Sequence, residues 1–179
     1  DSNAVFKAMT QKQDSQWSLE IDEDAALAST ADVLVLHELQ HIINSNAKNG
    51  QTEEVWLNEG LSDVFSGMML GQKTQQYFSD LESTNSFDLD FNTHFENLPH
   101  DAEIHKAYAG SALFVTWLIE HFGGDTILKK LVLNPNTGWQ NIRESILAVL
   151  PDQEPRFLNQ RNLFSNFAMA LAINQSNVS

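Results

Sequence analysis

The sequence predicts a predominantly α-helical fold with little sheet, and three observations lead there. Apolar residues recur at helical spacing through most of the chain beyond residue 28. Gly and Asn interrupt those runs where helices should end. Strand-like alternation is confined to the first two dozen residues. Up to Asp24 the chain is polar and lacks a helical period. Within it Trp17-Ser18-Leu19-Glu20-Ile21 alternates as a half-buried strand does, and Asp22-Glu23-Asp24 ends it. Ser29, Thr30 and Asp32 are candidate caps for a helix running to Asn46, where Asn-Ala-Lys-Asn-Gly signals a stop. A second helix is expected over Leu57–Leu70, closed by Gly71. A short amphipathic helix should follow over Lys73–Leu81. Residues 83–100 read as a long irregular loop, of a length often tied to function. Ala102–Phe122 is a strong helix pattern ended by Gly123-Gly124. Asp125–Leu133, Trp139–Leu150 and Pro155–Asn174 supply three more helices.

The 179 residues suit a single domain, 42% of them are hydrophobic and 19% charged, so a sizeable core is expected rather than disorder. The net charge of −14 argues against nucleic acid or an anionic membrane as partner, since phosphate recognition needs clustered Lys and Arg. No apolar run approaches the roughly 20 residues of a membrane span. With no Cys there is no disulfide scaffold, no thiolate metal site and no Cys nucleophile. The first residue is Asp1 rather than Met, as in a processed piece from which any signal peptide has gone.

His37-Glu38-Leu39-Gln40-His41 is the HExxH pattern. Residues i and i+4 of a helix share a face, with Cβ atoms about 6 Å apart, so two imidazoles there can reach one tetrahedral zinc ion. Glu38 can approach a water on that metal without being a ligand and serve as general base. With six His and twelve Glu in this chain, the pattern should arise by chance in roughly one such sequence in a hundred. Two His on a helix are otherwise usually surface or core residues. Val33-Leu34-Val35-Leu36 and Ile42-Ile43 make this helix apolar enough to predict that it is buried, and buried imidazoles need partners. A metal supplies them.

Zinc needs a third protein ligand and an open position for water. Trp56-Leu57-Asn58-Glu59-Gly60-Leu61-Ser62-Asp63 follows far enough on for the chain to turn and return on a second helix. Glu59 can then complete a His2Glu set. Asp63, four residues on and on the same face, is placed to accept the outer N–H of a ligand histidine. Asn58 is a candidate for a similar supporting role or for an ordinary cap. A solvated helix face is the plainer reading of Glu59 and Asp63, but it leaves the metal one ligand short.

His37-Glu38-x-x-His41 followed by Asn58-Glu59-Gly60-Leu61-Ser62-Asp63 resembles the gluzincin metallopeptidases, thermolysin-like in its Asn-Glu-x-x-Ser-Asp form. His-Glu-Leu-Gln-His-Ile-Ile-Asn is similar to the hyicolysin-like secreted bacterial peptidases. The motif match covers Leu34 to Asp63, with a looser similarity from Tyr108 to about Lys130. The resemblance implies a zincin-like α+β domain: an active-site helix, a glutamate helix and a C-terminal helical bundle. Residues 29–71 would hold the zinc-binding helices and 102–179 a helical subdomain. It implies one zinc ion on His37, His41 and Glu59, Glu38 as general base, and Asp63 behind a ligand histidine. It also implies a Tyr or His donor over the metal for the oxyanion. Tyr108 and then His105 are the candidates, and since they are i and i+3 they share a face. Amphipathic packing of Tyr108 and a surface place for His105 are the plainer alternative. A protein or peptide substrate and an extracellular or periplasmic location follow from the resemblance alone.

The chain departs from that family at its start. Gluzincins usually place a β-sheet before the zinc helix, and only about 28 residues precede it here. Residues 1–28 therefore read as what remains of that sheet, unless part of it lies on a segment absent from this chain. The Gly-x-Met-Glu-Asn motif of zinc aminopeptidases is missing, which leans toward an endopeptidase. An aminopeptidase and a zinc-binding module without catalysis are the rivals. Asp22-Glu23-Asp24 and Asp88-Leu89-Asp90 have the chemistry for Ca2+ but not the spacing of an EF-hand, so solvated turns are favoured. Phe87, Phe91 and Phe95 read as core packing before a substrate pocket. His94 and His100 read as surface residues, and His121 as a cation at a helix C-terminus.

Overall fold

Two short strands come first: β1 (Ala8–Gln13) and β2 (Gln16–Ile21) pair antiparallel, Ala8 opposite Ile21 and Gln13 opposite Gln16. The computed structural model describes residues 8–13, 16–21, 31–48, 51–69 and 104–178. β2 realises the predicted alternation only in part. Trp17 and Ile21 are half-buried but Leu19 is exposed, and the Lys12 ammonium lies over the Trp17 ring at 5.2 Å.

The helices are α1 (Ala31–Ala47), α2 (Val55–Met69), α3 (Ile104–Phe122), α4 (Asp125–Leu133), α5 (Gly138–Val149) and α6 (Gln160–Val178). Helix accounts for 76% of the described residues, so the fold is predominantly α. No helix among them is long and apolar enough to cross a membrane. β1 lies beside α1, and α2 packs between α1 and α3.

Two boundaries differ from expectation for local reasons. α2 starts at Val55 rather than Leu57, because the Glu54 carbonyl accepts the Asn58 N–H at 2.9 Å and its carboxylate accepts the Trp56 indole N–H at 2.6 Å. Asn58 is therefore inside the first turn and not a cap. The helix predicted over Pro155–Asn174 is two elements. Pro155–Phe157 is a single 3-10 turn, and α6 begins afresh where the Asn159 side chain accepts the Asn162 N–H at 3.0 Å. Asp32, weighed as a cap, sits in the first turn of α1, where its charge suits the helix dipole.

A larger correction concerns α1. Of its apolar run, expected to be buried, Val35 is exposed and Val33, Leu34, Leu36, Ile42 and Ile43 are half-buried, while the fully buried residues of the helix are Glu38, Gln40 and Asn44. Asn44 meets α2 through the Asn58 side chain, and the neighbouring Ile43 packs against the apolar core. The apolar core lies on the other side of α2, against α3, α4, α5 and α6. Phe114 is its hub, fully buried, with ring centroids at 4.9 Å from Phe164, 5.2 Å from Phe167, 5.7 Å from Trp139 and 5.8 Å from Trp56. Phe114→Ala should cost about 3–5 kcal/mol of stability. Urea unfolding should show the loss as a lower midpoint at unchanged slope. A shift worth less than about 1 kcal/mol would mean that the surrounding rings close the cavity.

The helix predicted over Lys73–Leu81, the 83–100 loop with Phe87, Phe91, Phe95, His94 and His100, and both acidic clusters considered for Ca2+ lie outside the described residues, as do Ser29 and Thr30.

Candidate metal centre

The site lies between α1 and α2. Helical spacing on α1 sets the His37 and His41 rings edge to face, with centroids 4.7 Å apart. The facing turn of α2 offers Glu59 and, one turn on, Asp63. Glu59 Oε2 stands 3.1 Å from His37 Nε2 and 3.6 Å from His41 Nε2. Behind the rings, His37 Nδ1 lies 2.8 Å from Asp63 Oδ1, and His41 Nδ1 lies 3.0 Å from Ser62 Oγ. Each imidazole is thus held by its outer nitrogen and turned so that Nε2 faces Glu59. The Glu38 carboxylate is buried on the same helix, within 4.8 Å of the histidine nitrogens.

The electrostatics follow from this crowding. Burial opposes the charged form of His37, but hydrogen bonds to Asp63 and Glu59 overcome it and raise its pKa to about 10. Burial likewise works against the Glu59 carboxylate, and the two histidines outweigh it, lowering its pKa to about 2. Asp63 is the exception: burial holds its carboxyl above the usual range despite His37.

Gly60 explains how α3 reaches this centre. A Cβ there would stand 2.8 Å from the Ser111 carbonyl oxygen, so only the missing side chain lets the two backbones approach so closely. One turn before Ser111 on α3 is Tyr108. Burial raises its pKa, and the carboxylates of Glu59, Asp63 and Glu38 raise it further, so the phenol stays protonated and able to donate. His105 belongs to α3 by its backbone, but its side chain lies outside the described residues. His121, away from the site, donates Nδ1–H to the Trp117 carbonyl at 2.9 Å near the C-terminus of α3.

Of the residues singled out from sequence, His37, Glu38, His41, Glu59, Asp63 and Tyr108 share one locality. Asn58 does not touch His37 or His41 through its side chain. Its Oδ1 accepts the Asn44 Nδ2–H at 2.7 Å, tying α1 to α2 one turn beyond His41. Sequence reasoning passed over Asn44 and Ser62. Ser62 sits beside Asp63 in the motif, and its position three residues after Glu59 was the available signal.

The donor set fits zinc. Tetrahedral coordination at 2.0–2.1 Å separates neighbouring ligand atoms by about 3.3 Å, and the two distances from Glu59 Oε2 bracket that value. Two imidazoles backed at their outer nitrogens, with a carboxylate between them, are also the chemistry zinc prefers. No protein-family model, curated protein or solved structure matches this chain, so the case for the centre is carried by these side chains themselves.

Proposed function

We propose that the chain is a zinc-dependent peptidase, an endopeptidase rather than an aminopeptidase, acting on protein or peptide substrates outside the cell or in the periplasm. The observation that carries the reading is the convergence of His37 Nε2, His41 Nε2 and Glu59 Oε2, with Glu38 beside them. Held there by His37, His41 and Glu59, zinc would supply a Lewis acid for the scissile carbonyl and would lower the pKa of the attacking water toward about 7. Glu38 takes a proton from that water as its oxygen bonds to the carbonyl carbon. It then returns the proton to the amine nitrogen as the C–N bond breaks. Tyr108 donates a hydrogen bond to the oxygen on which negative charge develops. Asp63 keeps the His37 ring in place throughout.

Metal analysis and cleavage of casein or a quenched peptide test this together. The purified chain should hold one zinc, and a chelator should abolish cleavage. Peptides with blocked N-termini should be cut as well as free ones. Glu59→Ala should lose zinc, and zinc content equal to wild type in that variant would remove Glu59 from the ligand set. A zinc-binding module without catalysis is the second reading. It is favoured by the sheet, which among the described residues is a two-stranded hairpin rather than the platform on which gluzincins lay substrate. One bound zinc with no chelator-sensitive cleavage of any peptide would select it.

A further inference from the structure

The two histidines are supported differently. Behind His37 is the Asp63 carboxyl group, whose Oδ1 lies 2.8 Å from Nδ1. Behind His41 is the Ser62 hydroxyl, which can donate or accept, and its role depends on where its single proton goes. Ser62 is fully buried, so that proton must find a partner within the protein. Its oxygen lies 3.0 Å from the Asn58 carbonyl oxygen, which can only accept, and 3.0 Å from His41 Nδ1. A hydroxyl that donates to that carbonyl has only lone pairs for the imidazole, and it then pairs with a His41 that carries hydrogen on Nδ1. The far side of the ring agrees. At 3.6 Å from Glu59 Oε2, His41 Nε2 is too distant for a hydrogen bond, whereas His37 Nε2 makes one at 3.1 Å. Nothing on the far side therefore requires hydrogen on His41 Nε2.

We infer that Ser62 is a positioning residue: its buried hydroxyl, anchored on the Asn58 carbonyl, locks His41 in the Nδ1–H tautomer that presents Nε2 to the metal. The inference builds on the zinc reading but makes a separate claim about the metal-free chain. A free imidazole favours hydrogen on Nε2, which would block the ligand atom, so the hydroxyl removes a step that binding would otherwise have to include. The backing also fixes the ring plane. The chain from the Asn58 carbonyl through Ser62 to His41 links the backbone of the glutamate helix to the ring on the other.

The test is tautomer-resolved nitrogen–proton NMR on chelated, 15N-histidine-labelled full chain, with zinc affinity measured by competition against a chelating dye. In wild type, the His41 signals should report hydrogen on Nδ1. Ser62→Ala should transfer population to the Nε2–H form and weaken zinc binding by about 10- to 100-fold. Ser62→Thr, which restores the hydroxyl, should recover both. Thermal melting of each chelated variant separates this from loss of fold. If Ser62→Ala melts far below wild type, Ser62→Cys, close in shape but a poor acceptor, replaces it with the same expectation. An Nε2–H tautomer in wild type, or an unchanged tautomer and unchanged zinc affinity without the hydroxyl, would overturn the inference. Should the wild-type chain take up no zinc, the peptidase reading fails, and the tautomer measurement still decides the role of Ser62.

Discussion

Glu38→Gln should keep zinc at wild-type stoichiometry and lower peptide turnover by about 10²–10⁴-fold, the usual contribution of a positioned general base. The substitution preserves shape and removes only the ability to take a proton. Glu38 is buried on α1 within 4.8 Å of both histidines, while Glu59 Oε2 stands 3.1 Å from His37 Nε2 and 3.6 Å from His41 Nε2, the arrangement from which the ligand set is proposed. Zinc content and turnover should therefore separate: Glu59→Ala loses both, and Glu38→Gln loses only the second. Single-turnover assays at saturating substrate would place the defect in kcat rather than KM, since a base acts in the transition state and adds little to ground-state binding. Full turnover in the Gln variant would leave the proton transfer without its proposed acceptor. A metal-free Gln variant would mean that Glu38 itself holds the ion.

How much of this centre could be read from the sequence depends on the range over which each part is determined. The pairing of His37 with His41, and of Glu59 with Asp63, is a matter of helical period, and the four-residue spacing predicts it without any tertiary knowledge. That Asp63 would back His37, while Ser62 backs His41, depends on the rotation of α2 about its axis, which is set by the packing of Gly60 against Ser111 on a third helix. The same dependence changed the reading of α1. Its apolar residues predicted a buried apolar face. The neighbour it meets carries Asn58, Glu59, Ser62 and Asp63, which receive Asn44, His37 and His41, and the apolar residues of the run are left half-buried or, at Val35, exposed. Helix ends were legible where a glycine pair stops the chain, as at Gly123-Gly124. They were missed where a side chain does the capping, as at Asn159. Least legible was Lys48, which looked like part of a polar stop signal and is fully buried against carbonyls more than 80 residues away.

That lysine leads to the second large effect. Glu53→Gln should destabilise the chain by about 3–5 kcal/mol, because it breaks a buried ion pair and leaves the other charge in place. The Lys48 ammonium lies 2.9 Å from Glu53 Oε2 and donates to the carbonyls of Leu131, Asn134 and Asn136. Burial pushes its pKa down and Glu53 pulls it back up, so removing the carboxylate removes what keeps the charge tolerable. The carboxylate is equally committed. Oε1 accepts the N–H groups of Glu54 and Gly138, and Oε2 accepts from Asn141 Nδ2 as well as from Lys48. Every group around it is a donor, so a Gln amide must turn its own NH2 against two of them, and no anion remains beside Lys48. Urea unfolding measures the loss, and a change under 1 kcal/mol would show that water or a rearranged side chain replaces the carboxylate. The consequence reaches the metal centre because Lys48 and Glu53 stand at the two ends of the connection between α1 and α2, tying both to α4 and α5. Loosening it frees the start of α2, four residues before Glu59. Glu53→Gln should therefore lower stability and zinc affinity together, whereas Glu38→Gln, which acts on the chemistry alone, should leave zinc affinity unchanged.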